Sequence, residues 1–456
     1  MVGSDNHGIQ PVDEETVLAA CRSTSVPSLG TIRQLWETDS IPSEEIEDAA
    51  AASVEDLALD GVPAGGSVAL GVGSRGIANL PEIVAGVVGK LRDHGYEPFV
   101  FPAMGSHGGA TADGQRAKLE ALGVTEDAIG CEIQATMDVV KVGRTPARDI
   151  PVVADAYAAE ADAIVPINRV KAHTDFDGDV ESGLSKMLVI GMGKQRGAKI
   201  AHEWSVDWSL GEMIPEISTQ LRAELPVAGG VAIVEDQRDD TTVVEGVPPS
   251  GFLDREAELL ERSYELMPTL PFEEIDVLIV DQIGKDVSGC GMDTNVIGRL
   301  VFGFGEPEPE QPEVKRIYAR SLTDASHGNA TGVGSADLIH ADLLADMDVS
   351  KALINSLTAS TIQSSRIPVP VETDRAGLAA TLSTIGVVDP ETVRVLRAAD
   401  TMHLHRLYAS PALIAEARER DDLRVLEDPA SIEFEAGDFA APSPHEIAVD
   451  GGSVRD

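Results

Sequence analysis

Twice in succession near the start of the chain, an apolar run of strand length ends in a glycine-rich turn and gives way to a helical pattern. The first unit is SVALGVGSRG, Ser67–Gly76, followed by LPEIVAGVVGKLRDHG, which closes on Gly95 as a C-terminal cap. The second is EPFVFPAMG running into SHGGATADGQRAKLEALG, where Ser106 and Thr111 stand ready to cap a helix whose N-terminus would face an anion. Strand, glycine turn and helix in this order dictate an α/β fold. In such folds ligands sit beyond the carboxyl ends of the strands.

The pattern continues through ADAIVPINRVKAH (strand, then loop), the helix SLGEMIPEISTQLRAEL, the strands VAGGVAIVED and TTVVEGV, and the helix FLDREAELLERSYEL. The segment CEIQATMDVVKVG reads as a strand pair, and residues 1–65 are mostly helical in pattern. At 456 residues the chain exceeds one ordinary core. MPTLPFEE reads as a crossing between domains, because a new unit, IDVLIVDQIGKDVSGCGMDTN, opens after it. The expectation is two α/β domains with the active site in the cleft between them: residues 1–270, residues 271–436, and a polar tail, 437–456. Later strands are expected at VKRIYARSL, ALINSLTAS, VRVLRAAD and MHLHRLYAS. No apolar run reaches membrane-spanning length and the N-terminus has no signal pattern, so a cytoplasmic location without membrane partners is expected. Three scattered cysteines, Cys21, Cys131 and Cys290, form neither a disulfide framework nor a zinc ribbon.

Charge narrows the function. Lysine and arginine total 35 against 77 acidic residues, a net of −42 spread along the whole chain. A uniform excess of this kind points to the surface of a halophilic protein, its carboxylates hydrated and screened by salt. Nucleic-acid binding, which needs a basic stripe, is disfavoured. An anionic substrate must therefore meet local Arg and Lys.

Against that background, Pro166–Trp204 holds four of the ten lysines (Lys171, Lys186, Lys194, Lys199) and two histidines, His173 and His202, around the apolar MLVIGMG. This combination suggests a buried loop and strand forming half of an active site. Other polar residues stand at strand exits: Arg75 in VGSRG, His107 in MGSHGG, and Gln282 with Lys285 in DQIGKD. Each has a plainer reading. A lone histidine is usually structural, Lys186 could be a surface lysine, and His202 a helix cap. His327 in SHGNATG is explained equally by its turn, His403 and His405 by the outer face of a strand, and Trp204 with Trp208 by core packing. Glycines on either side of His107 favour close approach of a ligand.

Taken in order, GSRG at Arg75, GSHGG at His107, KAHTD at His173, SGLSK at Lys186, KIAH at His202 and QIGK at Gln282–Lys285 resemble the nickel-dependent lactate racemase family over most of residues 65–300. The resemblance implies an isomerase with a nickel-pincer nucleotide, a pyridinium mononucleotide holding nickel through sulfur, carbon and sulfur. By it, Lys186 is the thioamide tether, His202 the nickel ligand, and Ser106 and Gly108 lie against the cofactor. His107 and His173 are the catalytic acid–base pair, and Arg75, Lys285 and Gln282 bind the substrate carboxylate. Inversion then needs removal of the C2 hydride to the cofactor and its return to the other face, with one histidine for each stereoisomer. Implied partners are the 2-hydroxy acid and the proteins that make the cofactor.

The chain departs from the family where GSRGIANLP replaces Asp-x-Thr-Arg-Pro, and where the longer segment from His173 to Lys186 carries Asp175, Asp177, Asp179 and Glu181. No counterpart of the aromatic that packs on lactate's methyl group is evident. These changes point to a 2-hydroxy acid other than lactate. Two alternatives stand beside this reading: a zinc hydrolase using the same histidines, without HExxH, and a non-enzymatic carboxylate-binding protein.

Overall fold

The computed structural model describes residues 8–21, 25–37, 39–74, 76–205, 207–300 and 308–444. Its strands, in chain order, are β1 (Leu29–Gln34), β2 (Ser67–Val72), β3 (Glu97–Pro102), β4 (Val139–Arg144), β5 (Pro151–Asp155), β6 (Ala163–Arg169), β7 (Gly230–Glu235), β8 (Thr241–Val247) and β9 (Glu274–Ile283). These continue with β10 (Glu313–Leu322), β11 (Leu338–His340), β12 (Val369–Val371), β13 (Val395–Ala398), β14 (Arg406–Ala409), β15 (Leu423–Ala430), β16 (Phe434–Glu435) and β17 (Asp438–Phe439). The fold is α/β, in two units: Thr38–Met267, and the residues on either side of it.

In the Thr38–Met267 unit the sheet order is β3-β2-β6-β7-β8, parallel except for the last strand. Its strands are apolar on both faces because helices cover both. Leu70, Val100, Val165 and Val231 point to one face, under the helices Ile46–Ser53 and Leu80–Asp93. Ala69, Phe99, Ile164 and Ala232 point to the other, against Lys194–Trp204, Leu210–Glu224 and Phe252–Leu266. The order reverses at β2: the chain places β3 on one side of it and β6 on the other. That reversal opens a crevice at the carboxyl ends of β2 and β6, where Ser74 and the KAHTD loop lie.

In the other unit the sheet order is β12-β11-β10-β9-β13-β14-β1-β15, with β9 to β13 parallel and the last three strands antiparallel. Here the order reverses at β9, whose carboxyl end delivers Gln282 and Lys285.

Four expectations need correction. The first 37 residues do not belong with the first domain, since β1 pairs β14 and β15. Residues from 437 do not start as a loose tail: β17 pairs β16, and the Ala441 carbonyl accepts from Arg397. ALINSLTAS lies on the helix Val349–Thr358, not a strand; Asp348 caps that helix by accepting the N–H groups of Ser350 and Lys351. MLVIGMG is a helical segment as well, for Leu184–Lys186 passes through the π-helical turn Met187–Gly191 towards the helix Lys194–Trp204. Glycine and small apolar residues let that turn lie close against the exit of β3, where a Cβ on Gly191 would come within 2.5 Å of the Ala103 carbonyl.

Candidate active site

The exits of β2, β3 and β6 meet one segment, Leu184–Trp204. After β2, a Cβ on Gly73 would touch Met187 Cε at 3.0 Å. After β3, the Gly105 N–H donates to the Gly191 carbonyl at 3.1 Å. At the end of β6, Asn168 donates to the carbonyl of Gly183, the residue that leads into this segment, at 3.0 Å. Lys171 and Ser182 form an antiparallel bridge, which closes the residues between them into a loop.

That loop holds His173 firmly. Its ring stacks on Phe176, centroids 4.3 Å apart and 29° from parallel. Nδ1 accepts the Asp175 N–H at 3.0 Å, so the neutral ring carries its proton on Nε2. The His173 N–H donates to Glu181, whose other oxygen accepts from Tyr264 at 2.9 Å. Glu181 is 1 % exposed, and burial pushes its carboxyl up to about 7, helped by Asp177 and opposed by the bonds from His173 and Tyr264.

Lys186 also meets this group, its ammonium 5.6 Å from the centre of the Phe176 ring. Ser185, just before it, is anchored by the buried Glu256, which accepts the Ser185 N–H at 3.0 and 3.1 Å and its hydroxyl at 2.5 Å. His202, four turns' worth of helical backbone further on, is held below its ordinary pKa, first by burial and then by the Lys186 charge, while Asp175 acts the other way. One group therefore contains His173, Asp175, Phe176, Lys186 and His202.

His107 is exposed, with Nδ1 hydrogen-bonded to the Ser74 hydroxyl, which links the β2 and β3 exits. Ser106 is half-buried. Gly108 is spent on packing: at φ 66 it lies so close to the next helix that a Cβ would come within 2.6 Å of Gln115 N. Thr111 caps that helix through the Gly114 N–H at 3.1 Å. Arg75 lies outside the described residues. Gln282 is exposed at the end of β9, and Lys285 is half-buried, its ammonium donating to the Gly289 carbonyl at 2.8 Å.

Of the remaining lysines, Lys199 is a surface residue near Glu203, and Lys194 is wholly buried. His327 ends a short turn at φ 49. His403 sits in a turn, not on a strand face, bonded to Asp400 at 2.6 Å; His405 lies near Trp36. Trp204 and Trp208 pack edge to face against the core. Sequence reading missed Phe176, which stacks on a histidine only three residues away, and Glu256, whose role depends on a contact with Ser185 distant in sequence.

Among the described residues, the His/Asp/Glu/Cys group close enough to hold an ion is His340, Asp374 and Asp438, not the site histidines. It is already satisfied. Asp374 accepts from Arg320 at 2.6 and 2.7 Å and from Tyr318 at 3.0 Å, while His340 bonds Asp438 at 3.1 Å and accepts the Asp342 N–H. A surface hollow of about 320 Å³ lined by Ser67, Glu97 and Glu160 opens at the amino ends of β2 and β3, the opposite edge from the site. The three cysteines are free thiols, and no described helix is long and apolar enough to cross a membrane.

No family model and no curated protein matches the chain. Among solved structures, it is similar to a Thermotoga maritima protein determined by a structural genomics consortium, at 14% identity and a TM-score of 0.48, covering 81% of this chain and 99% of the other. It is also similar to the lactate racemase apoprotein from Thermoanaerobacterium thermosaccharolyticum, at 13% identity and a TM-score of 0.40, covering 82% of this chain and 89% of the other.

Proposed function

We propose that the protein is an isomerase that inverts C2 of a 2-hydroxy acid other than lactate, using a nickel-pincer nucleotide. The observation that carries this reading is that His173 and Lys186 both meet Phe176, with His202 near enough for the charges of Lys186 and Asp175 to act on it, at the switch point of the sheet. The six ordered motifs supply the rest.

The residues fit the cofactor. His202 is kept in its neutral form by burial, and a neutral imidazole is the form that ligates a metal. Lys186, which would be the covalent tether, is near enough for its charge to act on His202, and Glu256 fixes the backbone beside it. When bound, the cofactor would supply a reversible acceptor for the C2 hydride.

The protein's own part is proton transfer and orientation. His173 takes the substrate hydroxyl proton on Nδ1, the nitrogen that carries no hydrogen in the neutral ring, displacing the Asp175 N–H from it, and as the resulting imidazolium returns a proton to the ketone oxygen; its ring plane is set by Phe176 and its backbone by Glu181. His107, oriented by Ser74, does the same for the opposite stereoisomer. Carboxylate binding by Arg75, Gln282 and Lys285 rests on the motifs alone.

The test is protein made together with the cofactor-building enzymes. The Lys186 peptide should gain a covalent mass, about one nickel should be bound per chain, and either enantiomer of some 2-hydroxy acid should be scrambled with its C2 hydrogen retained in deuterated water. Active enzyme with an unmodified Lys186 would end the proposal.

A further inference from the structure

We infer that Gln115 is the positioning residue for His107, and that Lys194 sets which way the Gln115 amide faces. The inference rests on the acid–base role given to His107 above. Gln115, Lys194 and Asp155 are all 0 % exposed, so their polar atoms must satisfy one another. The Lys194 ammonium is donor-only, and its neighbours are all acceptors: the Pro102 carbonyl, Gln115 Oε1 at 3.2 Å and Asp155 Oδ2 at 2.8 Å.

Because a lysine offers no acceptor, Gln115 can meet it only with its oxygen. The amide nitrogen is thereby turned to the other side, where it donates to the carbonyls of Gly105 at 2.9 Å and His107 at 3.4 Å. A flipped amide would set oxygen against both carbonyls. The ammonium thus fixes the orientation, and the amide fixes the loop at two points.

Lys194 also opens the helix that carries His202, with its own backbone at φ 56, a conformation uncommon outside glycine. One buried charge therefore ties the His107 loop to the helix bearing His202. A buried ion pair is weak evidence for stability, since apolar residues of similar size often serve as well. Direction is what an apolar pair could not give.

The experiment uses the full chain without cofactor, with labelled glutamine and histidine, followed by NMR. In the wild type the Gln115 Nε2 protons should exchange slowly with solvent. Gln115→Glu should displace the His107 Cε1–H resonance, which is assigned by its loss in His107→Gln. The double variant Asp155→Leu/Lys194→Met, which removes both charges together, should displace it too. Rapid exchange of the wild-type Gln115 amide, or an unmoved His107 resonance in either folded variant, would overturn the inference.

A second arm uses cofactor-loaded Gln115→Glu. Its kcat should fall about 10²-fold with KM within about twofold, as expected when a reacting group is slightly misplaced. The NMR arm needs neither cofactor nor substrate. A displaced resonance together with a loaded wild type that scrambles no 2-hydroxy acid would support the positioning and end the racemase reading.

Discussion

The backbone N–H of Asp175 donates to Nδ1 of His173 across 3.0 Å. A neutral imidazole held in this way has one tautomer, with hydrogen on Nε2. Nitrogen-15 NMR of the protein above the histidine titration should therefore show an unprotonated Nδ1 and a protonated Nε2 at this residue. His173→Gln keeps polarity and size but cannot exchange a proton. It should lower racemisation by about 10²–10⁴-fold while leaving the fold intact by circular dichroism.

Lys186 and Asp175 act on His202 with opposite signs. A nearby ammonium disfavours the imidazolium, and a nearby carboxylate favours it. Lys186→Ala should therefore raise the His202 pKa, and Asp175→Asn should lower it further, both measured by proton NMR of the cofactor-free protein. Burial remains in each variant, so even the raised value should stay below that of an exposed histidine. Shifts in the same direction for both variants would contradict the arrangement.

Glu181 gives the protein a pH-dependent stability term. Its carboxyl titrates near 7 in the folded state against an ordinary value of 4.5, so the folded state holds the proton more tightly. The stabilisation is fully present below the ordinary value and is lost as pH rises through about 7. At about 1.4 kcal/mol per unit, the loss is on the order of 3 kcal/mol. Glu181→Gln has no such term. Urea unfolding at pH 5 and pH 8 should show the stability difference, variant minus wild type, shifting in the variant's favour as pH rises; a difference that is unchanged, or that shifts towards the wild type, would count against burial as the cause.

Much of the scaffold was legible in the sequence because it obeys local rules. The apolar runs Ser67–Val72 and Glu97–Pro102 are strands followed by glycine turns, Ala163–Arg169 is a strand followed by a loop, and Pro81 and Gly95 bracket a helix. Helix Val349–Thr358 was misread because ALINSLT carries its apolar residues in a short run that suits either period, and the deciding signal is the cap at Asp348. MLVIGMG misled for a related reason: a glycine-rich apolar run looks like a buried strand, and only packing against Ala103 and Gly105 makes it a π-helical turn. β1 was hidden because its partners, β14 and β15, lie some four hundred residues away. In the site, the histidines and Lys186 were marked by composition. Glu256 and Gln115 carry no such mark, since a glutamate or glutamine on an amphipathic helix is expected to face water.

Glu256 also explains a glycine. Gly183 has φ 172, extended backbone open to any residue, so conformation does not require it. Space does: a Cβ there would lie 2.2 Å from Glu256 Oε1 and 3.4 Å from Val170. Glu256 cannot retreat without giving up the N–H and hydroxyl of Ser185, the residue beside Lys186. Gly183→Ala should therefore cost about 1–3 kcal/mol in urea unfolding through overpacking. Glu256→Ala should cost at least as much by leaving the Ser185 N–H unpaired in the core, where a missing hydrogen-bond partner is worth about 1–3 kcal/mol. The two residues touch, so the costs should not add. In the Gly183→Ala/Glu256→Ala double variant the methyl has room, and its penalty should largely vanish against the Glu256→Ala background. Full additivity in that cycle would mean that Gly183 serves something other than the seat of Glu256.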